Sequence, residues 1–313
     1  MRTPEKFYRA LHRIADARID DVAGAFVRAI QSIQTNVKLS DLEEAVRSRD
    51  LRRIARLLGL DDRLPITANS TGPGVAGVVA RTQVAAAQAT ASTMGALVRA
   101  RLDLVRPETV AFARGEMTAV APPQVGRARV RSAQLVRRVS NATKSGIREI
   151  ISESVQGEFD VREAARRIRS IVGLRPDQRE TLNRARAKLV AEGRFSQERI
   201  DRVAQRLLRQ RGILIARTET IKASSAGQTQ AWEDARQQGL IDPKFTRVFW
   251  IVTPDDRLCP ICEMIPSLNP DGVPLGVPFE SPVGPVFEPP DPHPSCRCSR
   301  ALEFREVSER LAA

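Results

Sequence analysis

Apolar residues recur at helical spacing through most of the chain. Over residues 4 to 34, Phe7, Leu11, Ile14, Val22, Phe26, Ile30 and Ile33 fall at roughly helical intervals, which predicts one long amphipathic helix. Ser40 followed by Glu43 has the form of a capping box and predicts a second helix, with Leu51, Ile54, Leu57 and Leu58 in it or in a short third one. From residue 61 to 74 the chain turns polar and carries Pro65, Gly72, Pro73 and Gly74, the composition of a linker. The Ala-rich stretch from about 75 to 105 is helix-prone with shallow hydrophobic contrast, suited to close helix packing or to contact with another chain. Pro107, Gly115, Pro122, Pro123 and Gly126 then interrupt the pattern.

A basic helix is predicted next, with Arg127, Arg129, Arg131, Arg137, Arg138, Lys144 and Arg148 set against Val130, Leu135, Val136, Ile147, Ile150 and Ile151. Asp160 with Glu163 caps a helix over 161 to 172, and Gly173 stops it. Pro176 opens another helix near its first turn, completed over 177 to 192. From Ser196 onward, Ile200, Val203, Ala204, Leu207, Leu214 and Ile215 share one side of a helix. Arg199, Arg202, Arg206 and Arg209 form a stripe on another, fit to follow a phosphate backbone or to pair with Glu198 and Asp201. A further helix runs from about 213 to Gly239, and the alternation of Phe245, Val248, Trp250 and Val252 predicts a short strand over 244 to 252.

These patterns predict a mainly α protein. Its amino-terminal and central parts are elongated and helical, and a small α+β, metal-clamped module follows. The segments expected are a helical region to residue 60, a linker over 61–74, a basic and Ala-rich helical region over 75–172, and a domain over 173–313 with its Cys/His module at 250–300.

Charge divides the chain in the same way. The 313 residues carry a net charge of +13, but from residue 251 onward there are 5 basic and 10 acidic residues, against 45 and 27 before it. The basic excess therefore belongs to the helices, and a surface of that sign suits a polyanion, or else is simply solvated. Only 4% of residues are aromatic and one is Tyr, which argues against a base-stacking platform for single strands. No apolar run is long enough to span a membrane, and the amino terminus lacks the apolar core of a signal peptide. His12, among Arg9, Arg13 and Asp16, has no second ligand near it in sequence and reads as structural.

All 4 cysteines and one of the 2 histidines lie in a single stretch: Cys259-Pro-Ile-Cys262, then His293-Pro-Ser-Cys296-Arg-Cys298. Two cysteines separated by two residues can aim both thiolates at one ion from a tight turn, and the second cluster supplies the other side. Five candidates for four positions leave two alternatives. Either Cys296 and Cys298 both bind, on one face of an extended Cys-Arg-Cys, with His293 behind them. Or His293 binds with three sulfurs, Cys298 in preference to Cys296 as the third. Soft donors and a ligand surplus favour a closed structural zinc site over magnesium, calcium or an open catalytic metal. Twelve of the 20 prolines fall between Pro254 and Pro294, which predicts an irregular loop clamped at both ends. There is no phosphate-binding Gly-rich loop, no His-Glu-x-x-His and no Gly-x-Ser-x-Gly, so no catalytic residue is assigned and no enzyme is expected.

The order Arg217-Thr218-Glu219, Trp250, Asp255-x-Arg257-x-Cys259-x-x-Cys262, Asp271-Gly272 and His293-Pro-x-Cys296-Arg-Cys298 resembles the phage Mu F-like head morphogenesis family, the minor head proteins of tailed bacteriophages. Gly173-Leu-x-Pro176-x-Gln178 fits the same pattern, so the resemblance spans roughly 173 to 300. It implies a virion protein added in few copies during head assembly, inside the capsid at the portal vertex and assembled in the host cytoplasm, with a part in DNA packaging or ejection. The implied partners are the portal protein, major capsid or scaffolding protein, and packaged double-stranded DNA held without sequence preference. No membrane partner is expected. Around the metal, Arg217, Glu219, Asp255, Arg257 and Arg297 are the expected supporting residues, Glu219 or Asp255 accepting from Arg257 or Arg297. The competing readings are a zinc-stabilised DNA-binding protein and a metal-dependent hydrolase.

Overall fold

The computed structural model describes residues 12–60, 122–239, 242–253 and 258–304, leaving aside the side chains of 122–137 and 304. The expectations for Phe7 and Leu11, for the 61–74 linker and for the Ala-rich segment lie outside these residues. The described chain is mainly helical: α1 (Ile19–Asn36), α2 (Leu39–Arg47), α3 (Leu51–Leu57), α4 (Pro122–Val155), α5 (Val161–Ile171), α6 (Pro176–Ala191), α7 (Gln197–Gln237), β1 (Thr246–Ile251), α8 (Pro260–Leu268) and β2 (Ser299–Phe304). None of the helices is long and apolar enough to cross a membrane.

Several boundaries follow the sequence signals. The Asp160 side chain accepts from the Glu163 N–H at 2.7 Å and caps α5. Gly173, at φ +80°, ends that helix region in a conformation few side chains adopt. Pro176 sits in the first turn of α6. Other signals are overridden. The first helix is not continuous, because residues 12–16 are helical and 17–18 form a turn in which the Arg18 N–H bonds three residues back to Ala15. Ser40 does not cap α2. The Leu42 N–H already bonds the Lys38 carbonyl, so the helix is under way before Ser40, whose hydroxyl lies against Asp41. The basic helix starts earlier than expected, at Pro122, since two prolines are tolerated in a first turn where N–H groups have no intrahelical partner. The two helices expected from Ser196 to Gly239 are one, α7. Gly212 does not break it, because its missing side chain serves close packing: a Cβ there would meet the Ala23 carbonyl at 3.2 Å.

The chain forms two compact units, interleaved in sequence, and α7 contributes residues up to Ile213 to one and from Leu214 to the other. The helical unit, with described residues 21–60 and 126–213, holds α1 to α6 around an aliphatic core that includes Phe26, Ile30, Leu42, Ile54, Leu58, Ile168, Leu174 and Leu182. Buried arginines tie its helices together. Arg179 donates to the Ala142 carbonyl at 2.8 Å and pairs with Glu149 at 3.0 Å, while Arg186 and Arg167 converge on Glu163. Arg211, whose pKa burial lowers to about 10, donates to the Gly173 carbonyl.

The second unit holds the carboxy-terminal part of α7, the two-stranded antiparallel sheet and α8. In β1, Thr246, Val248 and Trp250 are buried in alternation, as period-two reading predicts. Its partner β2 pairs Thr246 with Phe304 through Ile251 with Ser299. Neither β2 nor α8 is evident from the sequence. The proline-rich span also differs from a bare loop: it bridges Val273 to Val248 and Phe279 to Val286, and delivers Val273, Phe279 and Val286 to the core under Trp250. Trp250 and Phe279 meet edge-on with ring centroids 5.4 Å apart.

Candidate metal centre

Cys259 immediately precedes α8 and is its N-cap, its Sγ accepting from the Cys262 N–H at 3.3 Å. Pro260 then starts the helix, and the turn carries Cys262 inward beside Ile265 in the core. A helix N-terminus is where backbone N–H groups favour a thiolate. The other half of the centre comes from the turn before β2. Ser295 has φ +59°, and the Cys296 N–H points back to the His293 carbonyl at 3.4 Å. The chain then passes through Cys296, Arg297 and Cys298 with both sulfurs buried.

The four cysteines are free thiols. His293 Nε2 lies 3.0 Å from Cys259 Sγ and 3.1 Å from Cys262 Sγ, and Cys262 Sγ lies 3.6 Å from Cys296 Sγ. The donors form two triads that share Cys262: Cys259, Cys262 and His293, and Cys262, Cys296 and Cys298, with the donor atoms of each within 4.8 Å of one another. Either triad can hold a metal ion, and all five candidates take part. His293 Nδ1 faces the Pro294 carbonyl at 2.9 Å, which fixes the ring and leaves Nε2 toward the sulfurs.

The sulfurs shift one another's protonation strongly. Cys298 is held down at about 3 because it accepts from Cys262 first and then from Cys296, with Trp250 and the Thr253 backbone adding to the effect against burial. Cys262 is pushed up by the same hydrogen bonding to Cys296 and Cys298 and by burial. For Cys296 the contact with Cys262 favours the thiolate, but Cys298 and burial outweigh it and leave the group at about 12. A divalent ion among these sulfurs would favour their thiolates over the protonated forms that burial favours. The donor set fits such an ion. The Trp250 indole N–H donates toward Cys298 and favours its thiolate, so a sulfur bound to a metal has a donor beside it.

Of the expected supporting residues, Asp255 and Arg257 lie outside the described chain. Arg217 is exposed on α7, Glu219 is buried on it, and Arg297 is half-buried between two ligand cysteines. Arg217 and Glu219 lie on different sides of the helix, as their spacing requires.

The residues that seat the centre are mostly ones that sequence reading did not single out for this work. Thr218 Oγ1 accepts from the Ser295 N–H at 3.1 Å and ties α7 to the His293–Cys298 turn. Thr253 donates to the Arg297 carbonyl at 2.6 Å. Just beyond Cys298, Arg300 is buried over the Trp232 ring, bonded to Thr229 at 2.6 Å and paired with Glu288 at 3.2 Å, while Gln228 donates to the Arg300 carbonyl at 2.7 Å. Burial lowers the Arg300 pKa, and Glu288 and Asp291 oppose it. The only signal for this network was the polar composition of α7 at Ser225, Gln228 and Thr229, which a solvated face would share. His12 also comes to the centre. Its pKa is lowered by burial, against the raising influence of Asp16, Cys298 and the Arg297 backbone, and it belongs to neither triad.

No protein-family model, no curated protein and no solved structure matches this chain.

Proposed function

We propose that this protein is a minor head protein of a tailed bacteriophage, placed inside the capsid at the portal vertex during head assembly. In this reading the 250–300 module is a zinc-held structural element that engages the portal protein, and the basic helices lie toward packaged double-stranded DNA. The protein has no catalytic role of its own.

The observation that carries the reading is the meeting of the ordered motif in space. Thr218, from Arg217-Thr218-Glu219, seats the turn of His293-Pro-Ser-Cys296-Arg-Cys298, while Cys259 and Cys262 close on His293 and Trp250 lies beneath Cys298. Motif elements far apart in sequence serve one site, which is what a shared structural role requires of them. Zinc is the metal of choice because thiolate and imidazole donors disfavour the hard cations, and because protein groups fill the coordination sphere without need of water. The excess of acidic residues after residue 250 suits contact with a protein better than contact with DNA.

Two measurements test this. The protein is expected to co-purify with portal protein in assembled heads at low copy number, and its absence from purified particles overturns the head assignment. Metal analysis of the purified chain is expected to give zinc near one equivalent, and a metal-free protein with the same ordered module overturns the zinc assignment.

A further inference from the structure

Between α3 and α4 the helical unit opens a cavity of about 630 Å³, in the size range of small-molecule sites. Four cations line it: Arg52 and Arg56 from α3, Lys144 and Arg148 from α4, above a floor that includes Ala55 and Ile147. Within each helix the two cations are four residues apart and so share a face, the spacing at which like charges repel. Among the described residues, no carboxylate lines the cavity and none of the four has an ion-pair partner.

The same helices treat their other cations differently. Arg53, adjacent to Arg52, is paired with Glu44 at 2.7 Å, and Glu149, adjacent to Arg148, is taken by Arg179 at 3.0 Å. These two acids are thus engaged by cations other than the four that line the cavity. A solvated basic face needs neither concavity nor this sorting of charge, whereas an anion site needs both.

We propose that this cavity is a binding site for closely spaced phosphates. Arginine offers planar, paired donors that match phosphate oxygens, Lys144 adds a compact charge from a half-buried position, and the aliphatic floor suits a sugar face. Closely spaced phosphates occur in a nucleoside diphosphate and along a DNA strand. The site takes its ligand by this shared chemistry, and the proposal does not depend on the head-protein reading.

The experiment uses the full chain, ADP and a short mixed-sequence DNA duplex as probes, and two variants of equal charge change. One replaces Arg52, Arg56, Lys144 and Arg148 by Gln; the other replaces Arg199, Arg202, Arg206 and Arg209 of α7 by Gln. Circular dichroism checks that both variants retain their helices. If the source is a nucleotide, ADP binds saturably by calorimetry and weakens at least about tenfold in the cavity variant but not in the α7 variant. If it is a strand, the slope of log affinity against log salt for the duplex falls by about 0.9 for each lost phosphate contact, hence about 3.6 in the cavity variant, with a smaller fall in the other. Binding of neither probe, or equal losses in both variants, overturns the proposal.

Discussion

The helical unit and the cysteine module show two ways of fixing a chain. In the helical unit, long amphipathic segments bury Phe26, Ile30, Leu42, Ile54 and Leu58, and arginines such as Arg179 and Arg186 join helix to helix through carbonyls and carboxylates. Its order rests on many aliphatic contacts, each of modest strength. In the module, two six-residue strands and a nine-residue helix are too short to stand alone. Four cysteines and His293 occupy the centre instead, and Cys262, Cys296 and Cys298 are themselves part of the core beside Trp250 and Phe279. The difference teaches that the module's candidate metal donors and its hydrophobic core are the same residues, so loss of a bound metal and loss of the core would there be one event. In the helical unit no single group has that position.

This contrast can be broken most directly at Cys262, the sulfur shared by both triads. On the proposed zinc reading, Cys262→Ser is expected to abolish metal binding and to open residues 258–304 to proteolysis, since structural zinc in small domains contributes on the order of 10 kcal/mol or more. Metal analysis and mapped cleavage sites check it, and cleavage that instead begins in α1 to α6 would erase the distinction between the two regions. Chelator treatment of the unaltered protein is expected to give the same cleavage map.

Phe26→Ala probes the other side. It removes a fully buried ring from the helical core and is expected to cost about 3–5 kcal/mol in a denaturant melt while leaving zinc content unchanged. Gly272→Ala tests whether the proline-rich span is packed or merely tethered. Gly272 has φ +65°, and a Cβ there would stand 2.7 Å from the Val248 carbonyl, so a loss of about 1–3 kcal/mol is expected, read as lost protection of the Val248 and Val273 amides in hydrogen exchange. A silent substitution would mean that metal alone holds the span.

The smallest effect is electrostatic. Burial, and then repulsion from Glu158, raise the Glu153 pKa despite the attraction of Arg167. A carboxyl raised in the folded state contributes stability below its unfolded pKa and loses it as pH rises through the folded value. Glu153→Gln is therefore expected to raise stability slightly at neutral pH, by no more than about 0.5 kcal/mol in a denaturant melt, with the gain vanishing in acid.

Legibility in the sequence followed the range of the forces involved. Asp160 as a cap, Gly173 as a stop and Pro176 as a start act within one turn of their own helix, and each is used as read. Ser40 and Gly212 carry equally local signals that are overridden, the first because the helix already starts at Lys38 and the second by close packing. Helix α8 was hidden because Cys259 is an unusual N-cap and Pro266 lies inside the helix, and β2 because a six-residue strand is specified by its partner more than by itself.

By itself the sequence determined that the protein is mainly helical, with its soft metal donors concentrated in one small module, because residue type and spacing suffice for both. Only the tertiary structure decided that Cys262 is common to two triads, that Thr218 seats the His293–Cys298 turn, that His12 comes to Cys298, and that the four cavity cations share one concave face. Each of these joins groups from separate elements. Such meetings depend on how helices and strands dock, which local propensity does not encode.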